Sequence, residues 1–206
     1  ELVIAGQGTV GREIIEQLPS TTHIIVPVGG GGLIAGIAQF VKSINPKLQV
    51  IGVEPKDSNA MTLSLERQKR VELSHVGIFA DGVAVKQVGK RTFSICQRFV
   101  DEMITVNNDE ICAAVKAIFE DTRSIVEPAG ALSIAGIIKL GENYFNASDN
   151  IVTICSGANM TFERLQYIAE RTLLGSGKEA LFAVKMPEKA GALQSFCKQV
   201  VNGHSI

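Results

Sequence analysis

The sequence predicts an α/β domain built on a mostly parallel sheet, and three observations carry that expectation. Apolar runs of strand length alternate with stretches whose apolar residues recur at helical spacing. Glycine clusters such as Gly29-Gly30-Gly31-Gly32 stand where such strands would feed helices. The chain of 206 residues is 46% hydrophobic, with 20 basic against 21 acidic residues, so it has apolar mass for a buried core at a net charge of −1. That balance argues against nucleic acid as a partner and against a membrane-surface role. No apolar run approaches the ~20 residues of a membrane span. The 4 cysteines, Cys96, Cys112, Cys155 and Cys197, form no C-x-x-C pair, which favours a reducing compartment. The chain opens at Glu1 and stops just after an amphipathic stretch, and it reads as an internal segment of a longer protein.

In chain order, strands are expected at residues 2–5, 24–28, 50–54, 103–106 and 151–155. Val10, Ile14, Ile15 and Leu18 share one helical face, and Ile34, Ile37, Phe40, Val41 and Ile44 share another. Ile111, Ala114, Val115, Ile118 and Phe119 make a third. Asn107, with Glu110 three residues later, has the pattern of a capping box, so that helix should start there. Pro128 lacks an N–H that a first helical turn leaves idle, and residues 129–140 behind it are apolar almost all round, predicting a buried helix. After Leu174 the composition changes. Gly175-Ser176-Gly177 reads as a linker, residues 180–186 as a strand, 187–191 as a turn and 192–201 as a short helix. One β-α unit is too small to fold alone. Residues 1–174 are therefore read as one domain, 175–178 as a linker and 179–206 as the start of a second domain.

Two loops carry the chemistry. Gly29–Gly32 lies between a strand and a helix, where bare backbone presents N–H groups at the positive end of a helix dipole. Phosphate binds such a junction without a lysine. The alternative is a tight turn with close packing. Two cofactors compete for the site. Gly6-Gln7-Gly8-Thr9-Val10-Gly11 matches the dinucleotide pattern G-x-G-x-x-G, but the next strand runs into glycines where a ribose-binding acid is needed. Gly30, Gly32, Gly36 and Glu54 imitate the pattern with irregular spacing. Cys155-Ser156-Gly157-Ala158-Asn159 ends another strand, so in a parallel sheet it should reach the same edge as the tetraglycine loop. There the Ser156 hydroxyl can meet a heteroaromatic nitrogen.

Five stretches together resemble a known family. They are Ala5-Gly6-Gln7-Gly8-Thr9; Val26-Pro27-Val28 with the four glycines and Leu33; Phe79-Ala80-Asp81-Gly82-Val83-Ala84-Val85; Glu127-Pro128-Ala129-Gly130-Ala131-Leu132; and Ser156-Gly157-Ala158-Asn159. The chain resembles the β-elimination branch of the fold-type II pyridoxal-phosphate enzymes, and within it the biosynthetic threonine dehydratases (threonine deaminases), with wording closest to plant versions. The resemblance implies a parallel-sheet, tryptophan-synthase-β-like core followed by the start of an ACT-like α+β regulatory domain. It implies pyridoxal 5'-phosphate as cofactor, with Gly29, Gly30, Gly31, Gly32 and Leu33 holding the phosphate and Ser156 bonding the pyridine nitrogen. A neutral hydroxyl leaves that nitrogen largely unprotonated, whereas a carboxylate partner would stabilise its charged form. The ring is then a weaker electron sink, and loss of the β-hydroxyl wins over transamination. The implied reaction converts L-threonine to 2-oxobutanoate and ammonia, the first step toward isoleucine. The resemblance further implies isoleucine as an allosteric inhibitor, a homo-oligomer (tetramer) as the assembly and the plastid as the compartment.

The family's cofactor-anchoring lysine lies in an S-x-K-x-R type motif N-terminal to all these stretches, and no lysine here has that context. The segment is expected to be inactive alone, and no catalytic residue is assigned within it. Asp81 and Glu127 are the weak candidates. Asp81 either faces the site or makes an Asp-Gly turn. Glu127 either serves the substrate side or favours the positive end of a helix dipole. Glu54 resembles a metal ligand of the related serine racemases, which add an aspartate six residues on; Ala60 stands in that place, so no divalent site is expected. Cys155 reads as a small buried hydrophobe. His23, His75 and His204 share no ligand spacing. The competing readings are a serine dehydratase or racemase of the same fold, a non-catalytic cofactor-binding module and an NAD-binding domain.

Overall fold

The computed structural model describes residues 1–175 and 183–200. Its first element is helix α1 (Leu2–Gln17), which replaces the strand expected at residues 2–5. The short apolar run there is continuous with the face of Val10, Ile14 and Ile15, and an apolar run of that length does not distinguish strand from helix. Gly8 and Gly11 of α1 are buried against helix α2 (Gly32–Ile44). A Cβ on Gly36 of α2 would strike the Ile4 carbonyl and the Gly8 nitrogen. The G-x-G-x-x-G match is thus a close crossing of two helices, and it presents no nucleotide loop.

Strands β1 (His23–Pro27), β2 (Gln49–Pro55), β3 (Glu102–Val106) and β4 (Ile151–Thr153) form an all-parallel sheet in the order β3-β2-β1-β4. His23 stands opposite Gln49 on one side and Ile151 on the other, so β1 and β4 begin level with each other and β4 ends opposite Ile25, two residues short of the end of β1. The fourth strand is shorter than expected and stops before Cys155. Ile24 and Val26 pack into a core with Ile34, Ile37 and Val41 of α2. Ile25 points the other way, into a second core with Ile111 and Val115 of α5 (Asn108–Thr122) and Leu132 of α6 (Leu132–Leu140). Both faces of the sheet are covered, so β1 reads as a continuous apolar run and not as an alternating one.

The predicted capping box is present. The Glu110 N–H donates to Asn107 Oδ1 at 2.9 Å and the Asn107 N–H donates to Glu110 Oε2 at 2.6 Å. Helix α6 begins at Leu132, later than expected, because Gly130 and Ala131 first turn back to bond the Glu127 carbonyl. It is also less buried than expected. Leu132, Ser133, Ala135 and Gly136 are inside, but Ile138 on the outer face is 56% exposed. Three helices had no counterpart in the sequence reading: α3 (Ala60–Glu66), α4 (Lys90–Phe99) and α7 (Phe162–Gly175). Of the second-domain elements, α8 (Ala192–Val200) is present after a turn. Residues 183–186 form no strand, while Ser176, Gly177 and residues 180–182 of the expected linker and strand, like Val201 and His204, lie outside the described residues. Among the described residues no helix is long and apolar enough to cross a membrane.

Candidate functional site

The sheet order reverses beside β1. The chain moves outward through β2 and β3, then returns to place β4 on the opposite side. Loops leaving β1 and β4 diverge at such a switch point and open a crevice at the carboxyl ends of the strands. Here that crevice is a cavity of about 240 Å³, lined by Pro27, the glycines 29–32, Leu33, Gly82, Val83, Glu127, Ala129 and Ser156. The structure therefore brings the tetraglycine loop and Ser156 together. No lysine or arginine is among the lining residues.

The tetraglycine loop has the form an anion site requires. Gly31 is the N-cap of α2 with φ of 85°, the left-handed region that a residue with a Cβ resists. Among the described residues, the N–H groups of Gly29 through Leu33 donate to no carbonyl or side chain. They cluster at the start of α2, where the helix dipole adds partial positive charge. An oxyanion is the ligand such unpaired donors suit, and a phosphate with several acceptor oxygens suits them best.

The opposite wall is held by Glu127. Its backbone N–H donates to the Gly157 carbonyl at 3.0 Å, and its Oε2 accepts from the Asn159 N–H at 3.2 Å. Gly157, with φ of 79°, packs so closely on Glu127 that a Cβ there would overlap the carboxyl group. Glu127 thus fixes the loop that carries Ser156 as well as lining the cavity. Asp81 makes a different contact. Both its oxygens accept from the Arg164 guanidinium at 3.2 Å, which holds the Asp81 carboxyl below its ordinary range. Its neighbours Gly82 and Val83 face the cavity, so the pair ties α7 to the segment that forms one wall.

Glu54 lies at the end of β2, completely buried. Its carboxylate accepts from the Met61 N–H at 2.9 Å, the Thr62 N–H at 2.8 Å and the Thr62 hydroxyl at 2.6 Å. It therefore caps the first turn of α3 from outside the helix. Burial pushes its carboxyl up to about 7, against the opposing pull of those three donors. The capped helix matters to the site because the Met61 side chain lies directly under Gly31.

Cys155 departs from its expected burial: it is exposed, because β4 ends two residues earlier and leaves it in the loop. His23 packs edge-on against Phe145 with ring centroids 5.3 Å apart and bonds Thr22, a structural role. Arg164, Met61 and Thr92 were not singled out from the sequence. Each acts by touching a segment distant in the chain, which spacing along the sequence does not reveal.

A parallel α/β core with an anion cradle at its switch point and a hydroxyl-bearing loop across from it defines the class: an enzyme core for a phosphorylated cofactor. Residues 1–157 match the family described as pyridoxal-phosphate dependent enzyme, and residues 170–206 match the C-terminal regulatory domain of threonine dehydratase. The chain belongs to the pyridoxal-phosphate dependent enzyme family, and its sheet is the parallel core of fold type II. It is 52% identical over 199 residues to the biosynthetic, chloroplastic threonine dehydratase of Arabidopsis thaliana, covering 96% of this chain and 34% of that protein. The biosynthetic L-threonine dehydratase of Burkholderia multivorans is 49% identical over 199 residues, covering 96% and 39% respectively. Among solved structures, the processed form of threonine deaminase isoform 2 from Solanum lycopersicum matches with a TM-score of 0.79 at 50% identity, covering 82% of this chain and 49% of that one. The chain spans less than half the length of these relatives.

Proposed function

We propose that the whole protein is a threonine ammonia-lyase, converting L-threonine to 2-oxobutanoate and ammonia with pyridoxal 5'-phosphate. The observation that carries this reading is the meeting of the tetraglycine loop and Ser156 across one cavity at the switch point. When bound, pyridoxal phosphate supplies an aromatic ring that accepts electron density from the substrate Cα. The chain's own residues have three tasks. The N–H groups of Gly29, Gly30, Gly31, Gly32 and Leu33 bind the phosphate. The Ser156 hydroxyl would hydrogen-bond the ring nitrogen without protonating it, which favours elimination. Glu127 keeps the Ser156 loop in register. The similarity of residues 170–206 to a threonine dehydratase regulatory domain supports inhibition by isoleucine, the end product of the proposed route. The reading of the whole protein as a tetramer rests on the family resemblance alone. Plastid residence rests on the chloroplastic plant relative, and imaging of the tagged whole protein tests it.

The whole protein, loaded with pyridoxal phosphate, should release 2-oxobutanoate from L-threonine with a higher kcat/KM than pyruvate from L-serine. Ser156→Asp should lower threonine turnover about 100-fold or more, a barrier increase of roughly 3 kcal/mol, while visible absorbance shows the cofactor retained. Preference for serine, or its racemisation, would move the assignment to a serine dehydratase or racemase. Unchanged turnover in Ser156→Asp would take Ser156 away from the ring nitrogen. Added isoleucine should lower turnover, and sedimentation should return a tetramer.

A further inference from the structure

Four consecutive glycines leave the cradle with no side chain of its own to fix its peptide planes, so whatever fixes them comes from elsewhere in the fold. Among the described residues, one side-chain hydrogen bond reaches the loop. Thr92 Oγ1, in the first turn of α4, donates toward the Gly30 carbonyl at 2.8 Å and toward the Gly89 carbonyl at 3.0 Å. The Thr92 Cβ also lies 3.1 Å from where a Cβ on Gly31 would be. This threonine therefore bonds one end of the Gly30–Gly31 peptide and lies beside the other.

The direction of that contact has a consequence for the donors. The described residues contain no cis peptide bond, and in a trans peptide the carbonyl of one residue and the N–H of the next point in opposite directions. Drawing the Gly30 carbonyl toward α4 turns the Gly31 N–H away from α4. The cavity is lined by the loop itself, by Gly82 and Val83 and by Ser156, and by no residue of α4. That N–H bonds no carbonyl or side chain among the described residues, so it is free to face the cavity. If the same peptide rotated, it would present a carbonyl oxygen there, which repels an anion. Glycine resists such a rotation less than any other residue.

We propose that Thr92 is a positioning residue for the cofactor cradle: its hydroxyl sets the Gly30–Gly31 peptide so that the Gly31 N–H is aimed at the phosphate. The inference rests on the reading of residues 29–33 as the phosphate site, and its test separates the two. Thr92→Val keeps the shape of the side chain and removes the hydroxyl; Thr92→Ser restores the hydroxyl and removes the methyl. The apo form of the whole protein is titrated with pyridoxal 5'-phosphate and, separately, with pyridoxal, which lacks the phosphate.

Wild type should prefer the phosphorylated form strongly. Thr92→Val should lose about tenfold in affinity for pyridoxal phosphate and nothing for pyridoxal, and Thr92→Ser should recover wild-type affinity within about twofold. The phosphorus NMR shift of the bound cofactor should move in the valine variant and return in the serine variant. Equal affinity of wild type for both compounds would remove the phosphate cradle itself. A phosphate preference surviving intact in Thr92→Val would overturn the role of Thr92 alone, as would a loss in Thr92→Ser equal to that in Thr92→Val. If Thr92→Val fails to unfold cooperatively, Thr92→Ala carries the same comparison without a methyl near the Gly30 carbonyl.

Discussion

Gly31→Ala should destabilise the protein by about 2–3 kcal/mol and reduce its affinity for pyridoxal phosphate at least 100-fold. The left-handed φ of 85° costs an alanine roughly 1–2 kcal/mol. The new methyl must also push aside the terminal methyl of the buried Met61 and crowd the Thr92 Cβ, adding about 1 kcal/mol. Both costs fall on the residue that starts α2 and supplies a central donor of the cradle. Gly30→Ala is the internal control. Its added methyl meets nothing within 4 Å and its φ lies outside the left-handed region, so its stability should stay within about 0.5 kcal/mol of wild type. Urea denaturation and cofactor titration of the two variants of the whole protein provide the comparison. Equal stabilities for both would mean that Gly31 does not hold the conformation described.

The second large effect belongs to Glu54. Removing its carboxylate in Glu54→Ala strands the Met61 N–H, the Thr62 N–H and the Thr62 hydroxyl beneath the cradle. At about 1 kcal/mol or more for each stranded donor, the loss should reach about 3 kcal/mol at pH 5. The size of the effect depends on pH in a defined direction. The folded state holds the Glu54 proton up to about 7, whereas the unfolded chain releases it near the ordinary value of 4.5. Between those values the unfolded chain binds fewer protons, so wild-type stability falls as pH rises through that window and levels off above it. The term is complete below pH 4.5 and is worth roughly 3 kcal/mol across the interval. The gap between wild type and Glu54→Ala should therefore be widest at pH 4.5 and below, still large at pH 5, and narrow toward about pH 8. A constant gap would show that the three donors fully offset the cost of burying the charge.

Much of the architecture could be read along the chain because its signals are local. The strands β1, β2 and β3 are apolar runs bounded by breakers, and the Asn107–Glu110 box is written within four consecutive residues. Of the helices without a counterpart, α3 is only 7 residues long, whereas α4 does carry a helical spacing at Phe93, Cys96 and Phe99, so its pattern was legible and was passed over. The error at α1 has another cause: a strong apolar run of ambiguous period was resolved only by its packing on α2. The same division holds for the site. The glycines and Ser156 announce themselves by composition and position. Glu127 was visible as a residue of interest, but its bond to the Asn159 N–H exists only once β4 has brought that loop alongside. The bonds of Arg164 to Asp81 and of Thr92 to Gly30 join segments 83 and 62 positions apart, with no trace in the intervening sequence.

The placement of β4 also bears on the order in which the molecule assembles. This strand is three residues long, and its flank is secured by contacts between Thr22 and Asn150, 128 positions apart. Joining ends so distant consumes loop-closure entropy before the few bonds of the strand repay it. Neighbouring segments such as β1, α2 and β2 meet no comparable delay. The glycine wall of the cavity should therefore form with the early, short-range part of the fold, and the serine wall with its last long-range closure.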